Sequence, residues 1–136
     1  MTITVEKLPG EPIVIATYQE PIDWQKEIPE MFEQILVLRD TFEGCPKYYA
    51  ILDLRAIKIG FSEMVLTMGE ARKAGKKRRP DMPVSPSLIG SGPIIRLASK
   101  AMEQQQYGEY RVALYTSLDK ALDMIRAEIA TWQSAS

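Results

Sequence analysis

The stretch Tyr48–Leu54, reading YYAILDL, constrains the fold more than any other part of the chain: every position but Asp53 is apolar. An apolar run of strand length suits a central strand buried on both faces, and so calls for layers on either side of a sheet. The hydrophobic period around it switches repeatedly between strand and helix. Upstream, Ile3 and Val5 alternate with polar neighbours, Pro9-Gly10 supplies a turn, and the β-branched run Ile13–Tyr18 resumes an extended pattern, which predicts a hairpin. From Asp23 the apolar residues Ile28, Met31, Phe32, Ile35, Leu38 and Phe42 recur at helical spacing. Asp23 is expected to cap this helix, Pro29 to disturb its first turns, and Gly44 to end it.

Downstream, Phe61, Met64, Val65 and Met68 open a second helix with Ser62 as its expected cap, and the helix runs out in a basic stretch closed by Pro80. The segment Arg72 to Pro86 reads as an extended surface loop, Val84–Ile89 as a strand, and Ser91 with Pro93 as the cap and first residue of a third helix ending near Gly108. Arg111–Tyr115 is the fifth expected strand. Ser117 then caps a last helix whose stripe Leu118, Leu122, Ile125, Ile129 and Trp132 is the cleanest periodicity in the chain. The order β-β-α-β-α-β-α-β-α predicts one α/β domain over residues 1–136, a single mixed five-stranded sheet flanked by about four helices.

Composition narrows the chemistry. The chain has no histidine and one cysteine, Cys45, so neither a Ser-His-Asp nor a Cys-His nucleophile can be assembled within it, and no internal disulfide can form. The commonest zinc ligand and the commonest general base near neutral pH are both missing, and the acidic residues lack EF-hand spacing. No catalytic residue, metal or cofactor is expected. An enzyme using Asp53, Ser62 or Tyr49 with an external cofactor is the disfavoured alternative. The polar alternation Met1–Lys7 does not read as a signal peptide, no segment approaches membrane-span length, and a lone cysteine fits a reducing compartment, so a cytoplasmic location is expected.

Two groups of residues stand out as candidate sites. Asp53 and Arg55 end the central strand, where open α/β sheets usually bind ligands, and Ser62, Gly90, Ser91 and Gly92 are expected to share that crevice. The Gly90–Gly92 turn precedes a helix, an arrangement that presents free N–H groups to an anion, although it matches neither a P-loop nor a dinucleotide fingerprint. The rival surface is RKAGKKRR, in which Arg72, Lys73, Lys76, Lys77, Arg78 and Arg79 place six cations in eight residues. Residues 45–100 carry 11 basic and 4 acidic side chains against 3 and 9 in residues 1–44, so the basic charge is local. Such a run could meet an acidic protein, an anionic membrane or nucleic acid, or could simply complement a helix C-terminus. No aromatic residue interleaves it, which disfavours nucleic acid. The apolar surface of the second helix (Phe61, Met64, Val65, Leu66, Met68) reads mostly as core. Leu66 and some methionines are expected outside the buried stripe, as a homodimer face or ligand groove.

The element order, with YYAILDL, SLIGSGPIIRLA (Ser87–Ala98) and RVALYTSLDKALDMI (Arg111–Ile125), resembles the STAS domain and more closely the SpoIIAA-like (STAS/SEC14-like) group of small bacterial proteins. Tyr115, Ser117, Asp119, Ala121 and Leu122 carry the last part of that likeness. Ser62 stands nearest to the phosphorylatable serine of regulatory STAS domains, but Ile57–Ser62 (IKIGFS) replaces their Asp-Ser-Ser-Gly setting. The resemblance implies a non-enzymatic regulatory or protein-binding module that self-associates or meets another protein. Its alternative implication is a SEC14-like carrier of an apolar or amphipathic small molecule, with a small apolar or anionic ligand.

Overall fold

The computed structural model describes residues 2–103 and 111–134. Its elements follow the expected order: β1 (Ile3–Lys7), β2 (Ile13–Tyr18), α1 (Trp24–Arg39), β3 (Tyr48–Asp53), α2 (Phe61–Gly75), β4 (Val84–Ile89), α3 (Pro93–Ala101), β5 (Ala113–Tyr115) and α4 (Leu118–Ser134). The five strands form one sheet in the sequential order β1-β2-β3-β4-β5. Only the β1–β2 hairpin is antiparallel; β2–β3, β3–β4 and β4–β5 are parallel.

Sequential order decides where the helices go. Each strand–helix–strand connection advances one strand in the same direction, and crossovers of one hand then leave their helices on the same face. Ile28, Met31 and Ile35 of α1, Met64 and Met68 of α2, and Ile95 and Ala98 of α3 accordingly share a core with Val14, Ala16, Tyr48, Ala50 and Leu88 of the sheet. The helix that follows the last strand has only the other face to cover. Ala121, Ile125 and Ile129 of α4 pack there against Ile13, Ile15, Tyr49, Ile51 and Ile89. With both sides covered, β2 and β3 are buried at five of six positions each, as the apolar run requires.

Local details depart from expectation at several helix ends. Asp23 is the N-cap of α1, yet its side chain makes no capping bond. Glu27 satisfies that end instead. Its carboxylate accepts from Asp23 N (2.8 Å), Thr2 N (2.7 Å), Ile3 N (3.1 Å) and the Thr2 hydroxyl (2.9 Å), tying β1 to α1. Burial pushes the Glu27 carboxyl up, but these donors outweigh it and hold the pKa at about 2. The helix runs through Pro29 and stops at Arg39, five residues before Gly44, because Thr41 and Phe42 return hydrogen bonds to Leu38 and Arg39 carbonyls. Gly44 sits in the turn beyond.

Gly60, not Ser62, caps α2: Met64 N closes the first turn onto Gly60 O, so Ser62 already lies within the helix. Gly92, not Ser91, caps α3, with φ at +108°, a region that favours glycine, and Pro93 follows at the first helical position. Arg72–Gly75 belong to α2 and β4 starts at Val84, so the expected long loop shrinks to residues 76–83. The third helix ends at Ala101, and Gly108 lies outside the described residues. Strand β5 begins at Ala113, two residues later than expected, and its ladder reaches only Ser87–Ile89 of β4. Pro86 therefore stands beyond the β5 ladder, where its missing N–H is tolerated. Ser117 behaves as read from the sequence, its hydroxyl accepting from Lys120 N at 3.2 Å.

Candidate functional site

The strand-end residues gather at one edge. Leu54 and Arg55 after β3, Ile57–Ile59, Gly90–Ile95 and Thr116 line an open crevice of about 520 Å³ at the carboxyl ends of β3, β4 and β5. Arg55, Gly90, Ser91 and Gly92 thus meet there. Gly90 leaves room that a side chain would not have, since a Cβ would sit 2.7 Å from Ile95 Cδ1. Asp53 stands behind the wall and reaches it only through Arg55. Ser62 is exposed on the first turn of α2, outside the crevice lining.

The charges of this crevice are occupied with each other. Arg55 Nε donates to Asp53 Oδ1 at 2.9 Å and Nη2 to Oδ2 at 2.8 Å, a two-pronged pair reinforced by Arg55 N at 3.2 Å. Burial pushes the Asp53 carboxyl up, but the guanidinium and this N–H hold it below its usual range. Held ionised and accepting three hydrogen bonds from Arg55, this carboxylate has no proton to give. The pair works as a brace at the end of the central strand.

A second space lies inside the three-helix face. A cavity of about 110 Å³ runs between α1, α2, α3 and the sheet. Its origin is a coincidence of small residues from separate segments. Ala50 and Pro86, neighbours across the β3–β4 ladder, form the floor. Ala71, Ala74 and Gly75, on successive turns of α2, form the roof. Larger apolar groups (Phe32, Ile35, Tyr48, Met64, Met68, Met102) close the sides but cannot fill the centre. The hydroxyl of Thr67 is already spent on Glu63 O at 2.8 Å, so the wall it contributes to is effectively apolar.

Only the end beyond Gly75 is charged, where Arg39, Arg78 and Arg79 join the lining. Arg39 is buried, donating to Lys77 O at 2.7 Å and to Asp40 Oδ1 at 3.1 Å, and so staples the basic loop to the end of α1. Arg79 pairs with Asp81 at 2.7 Å and Asp40 at 3.5 Å. Arg78 is the exposed residue among those lining the cavity, and it has no ion-pair partner among the described residues. Of the other cations of the run, Lys73 pairs with Glu70, while Arg72, Lys76 and Lys77 are exposed.

The outlying apolar residues of α2 are not those expected. Met64 and Met68 are buried and Leu66 partly so, whereas Phe61 and Val65 are 63% and 48% exposed. Sequence reasoning passed over the cavity and Arg39, although both left a trace. Arg39 follows Ile28, Met31 and Ile35 on the buried stripe of α1, where a charged residue needs a reason. Ala71 and Gly75 continue the stripe Met64–Met68 with side chains too small to fill it.

Among the described residues no group of three or more His, Cys, Asp or Glu side chains is placed to hold a metal ion, and no helix is long and apolar enough to cross a membrane. Fold and site together define a mixed-sheet α/β domain with an apolar chamber under its second helix. No protein-family model matches the chain, and no curated protein is significantly similar to it.

Proposed function

We propose that this chain is a non-enzymatic binding module of SpoIIAA-like (STAS/SEC14-like) type, acting in the cytoplasm, that holds an apolar or amphipathic small molecule in the chamber between α1, α2 and the sheet. The observation that carries the reading is the chamber itself, lined almost wholly by apolar side chains. An apolar void of this order is a ready site for a small hydrophobic molecule, since lining atoms regain the contacts they lack. The internal pairing of Asp53 with Arg55 supports a role without chemistry at the strand ends.

Native mass spectrometry of the freshly purified chain, with and without added octanamide, tests the reading. A one-to-one adduct that disappears in Ala71→Phe is expected; its absence at all octanamide concentrations would remove the basis for a carrier. A second reading, a regulatory module that docks a protein or a second copy of itself, is favoured by Phe61 and Val65, exposed one turn apart on α2. Sedimentation of Phe61→Ser/Val65→Ser tests it: a dimer that dissociates supports it, and a wild-type monomer at all concentrations removes self-association.

A further inference from the structure

We infer that the chamber's ligand is a small monoanionic amphiphile, a carboxylate whose short apolar tail enters the void while Arg78 holds its head. The inference rests on the chamber reading above and adds the identity of the head group. Three arginines, Arg39, Arg78 and Arg79, line the charged end of the chamber, and two carboxylates, Asp40 and Asp81, answer them. Asp40 serves Arg39 and Arg79 together, and Asp81 serves Arg79, so the one of the three without an ion-pair partner among the described residues is Arg78. One unanswered guanidinium is matched by one negative charge.

Position and size point the same way. Arg78 lies three residues past the end of α2 and lines the chamber while exposed, so a head group it binds stays in water as the tail goes inward. The Arg39 bond to Lys77 O fixes the backbone of the neighbouring residue, so the fork of Arg78 springs from an ordered base. Exposed Lys76 and Lys77 beside it add to the attraction of an incoming anion without touching the chamber. The void of about 110 Å³ is smaller than the cavity of about 150 Å³ known to admit a benzene ring, so it takes only a short apolar segment and excludes long acyl chains.

Titration calorimetry of the full chain with octanoate and with neutral octanamide separates the two layers of this reading. The expected result is octanoate bound at least fivefold more tightly than octanamide, an advantage that shrinks with added salt and vanishes in Arg78→Ala. Arg78 is exposed and has no ion-pair partner among the described residues, so its removal leaves the fold intact, which circular dichroism checks. Equal affinity for the two probes, or an octanoate advantage untouched by Arg78→Ala, overturns the head-group assignment while the chamber reading stands. No heat or saturation with either probe overturns both.

Discussion

The crevice at the strand ends and the chamber under α2 contain similar ingredients and use them differently. In the crevice a carboxylate and a guanidinium are close enough to satisfy each other, and the brace formed by Asp53 and Arg55 leaves little for a ligand. In the chamber the charged groups sit at one end, two carboxylates hold two of three arginines, and among the described residues the third has no ion-pair partner. The crevice is the larger space, yet it is an open surface hollow, whereas the chamber is walled on the sheet side and on three helices. Partnering distinguishes a structural charge from an available one better than location at a favoured end of the sheet does.

Mutations at each place should therefore fail in different ways. Arg55→Ala removes the half-exposed partner of a buried carboxylate and is expected to cost about 2 kcal/mol in urea unfolding while octanoate affinity stays unchanged. A loss of affinity without loss of stability would reverse the comparison. Glu27→Gln, remote from both places, should cost about 2 kcal/mol by weakening four charge-assisted bonds. The wild-type Glu27 contribution is present above the ordinary carboxyl value of 4.5 and is lost as pH falls from there toward about 2. Stability curves of wild type and Glu27→Gln should converge over that interval, and parallel curves would contradict the assignment.

Smaller effects fall on the chamber. Ala71→Phe puts a ring into existing space, so octanoate affinity should drop more than tenfold, about 1.4 kcal/mol, while unfolding stability changes by less than about 1 kcal/mol. A destabilisation much larger than that would mean the void is not there to be filled. Arg78→Ala should cost about fivefold in octanoate affinity, about 1 kcal/mol, with stability within about 0.5 kcal/mol of wild type.

What could be read in advance followed from how local each signal is. The Tyr48–Leu54 run and the Leu118–Trp132 stripe encode their own burial within a few turns or residues, so β3 and α4 were legible, as was the order of all nine elements. Helix ends at Ser62 and Ser91 were misplaced because a neighbouring glycine took the cap position, and hydroxyl preference alone does not choose between them. The crevice was half legible: Arg55 and Gly90–Gly92 meet, but the mutual satisfaction of Asp53 and Arg55 is a matter of rotamers. The chamber was not legible, because it consists of missing volume contributed jointly by Ala50, Pro86, Ala71, Ala74 and Gly75. Each is unremarkable in its own segment, and only the β3–β4 register and the seating of α2 bring them together.

The seven methionines offer the most direct test of the central claim. Met64, Met68 and Met102 line the chamber, whereas Met124 is exposed on α4 across the sheet. In a titration of the methionine-methyl ¹³C-labelled chain with octanoate, the three chamber methyl resonances should shift together and saturate while Met124 stays fixed. Shifts confined to Met124, or no saturable shift at Met64, Met68 and Met102, would contradict a ligand-binding chamber beneath α2.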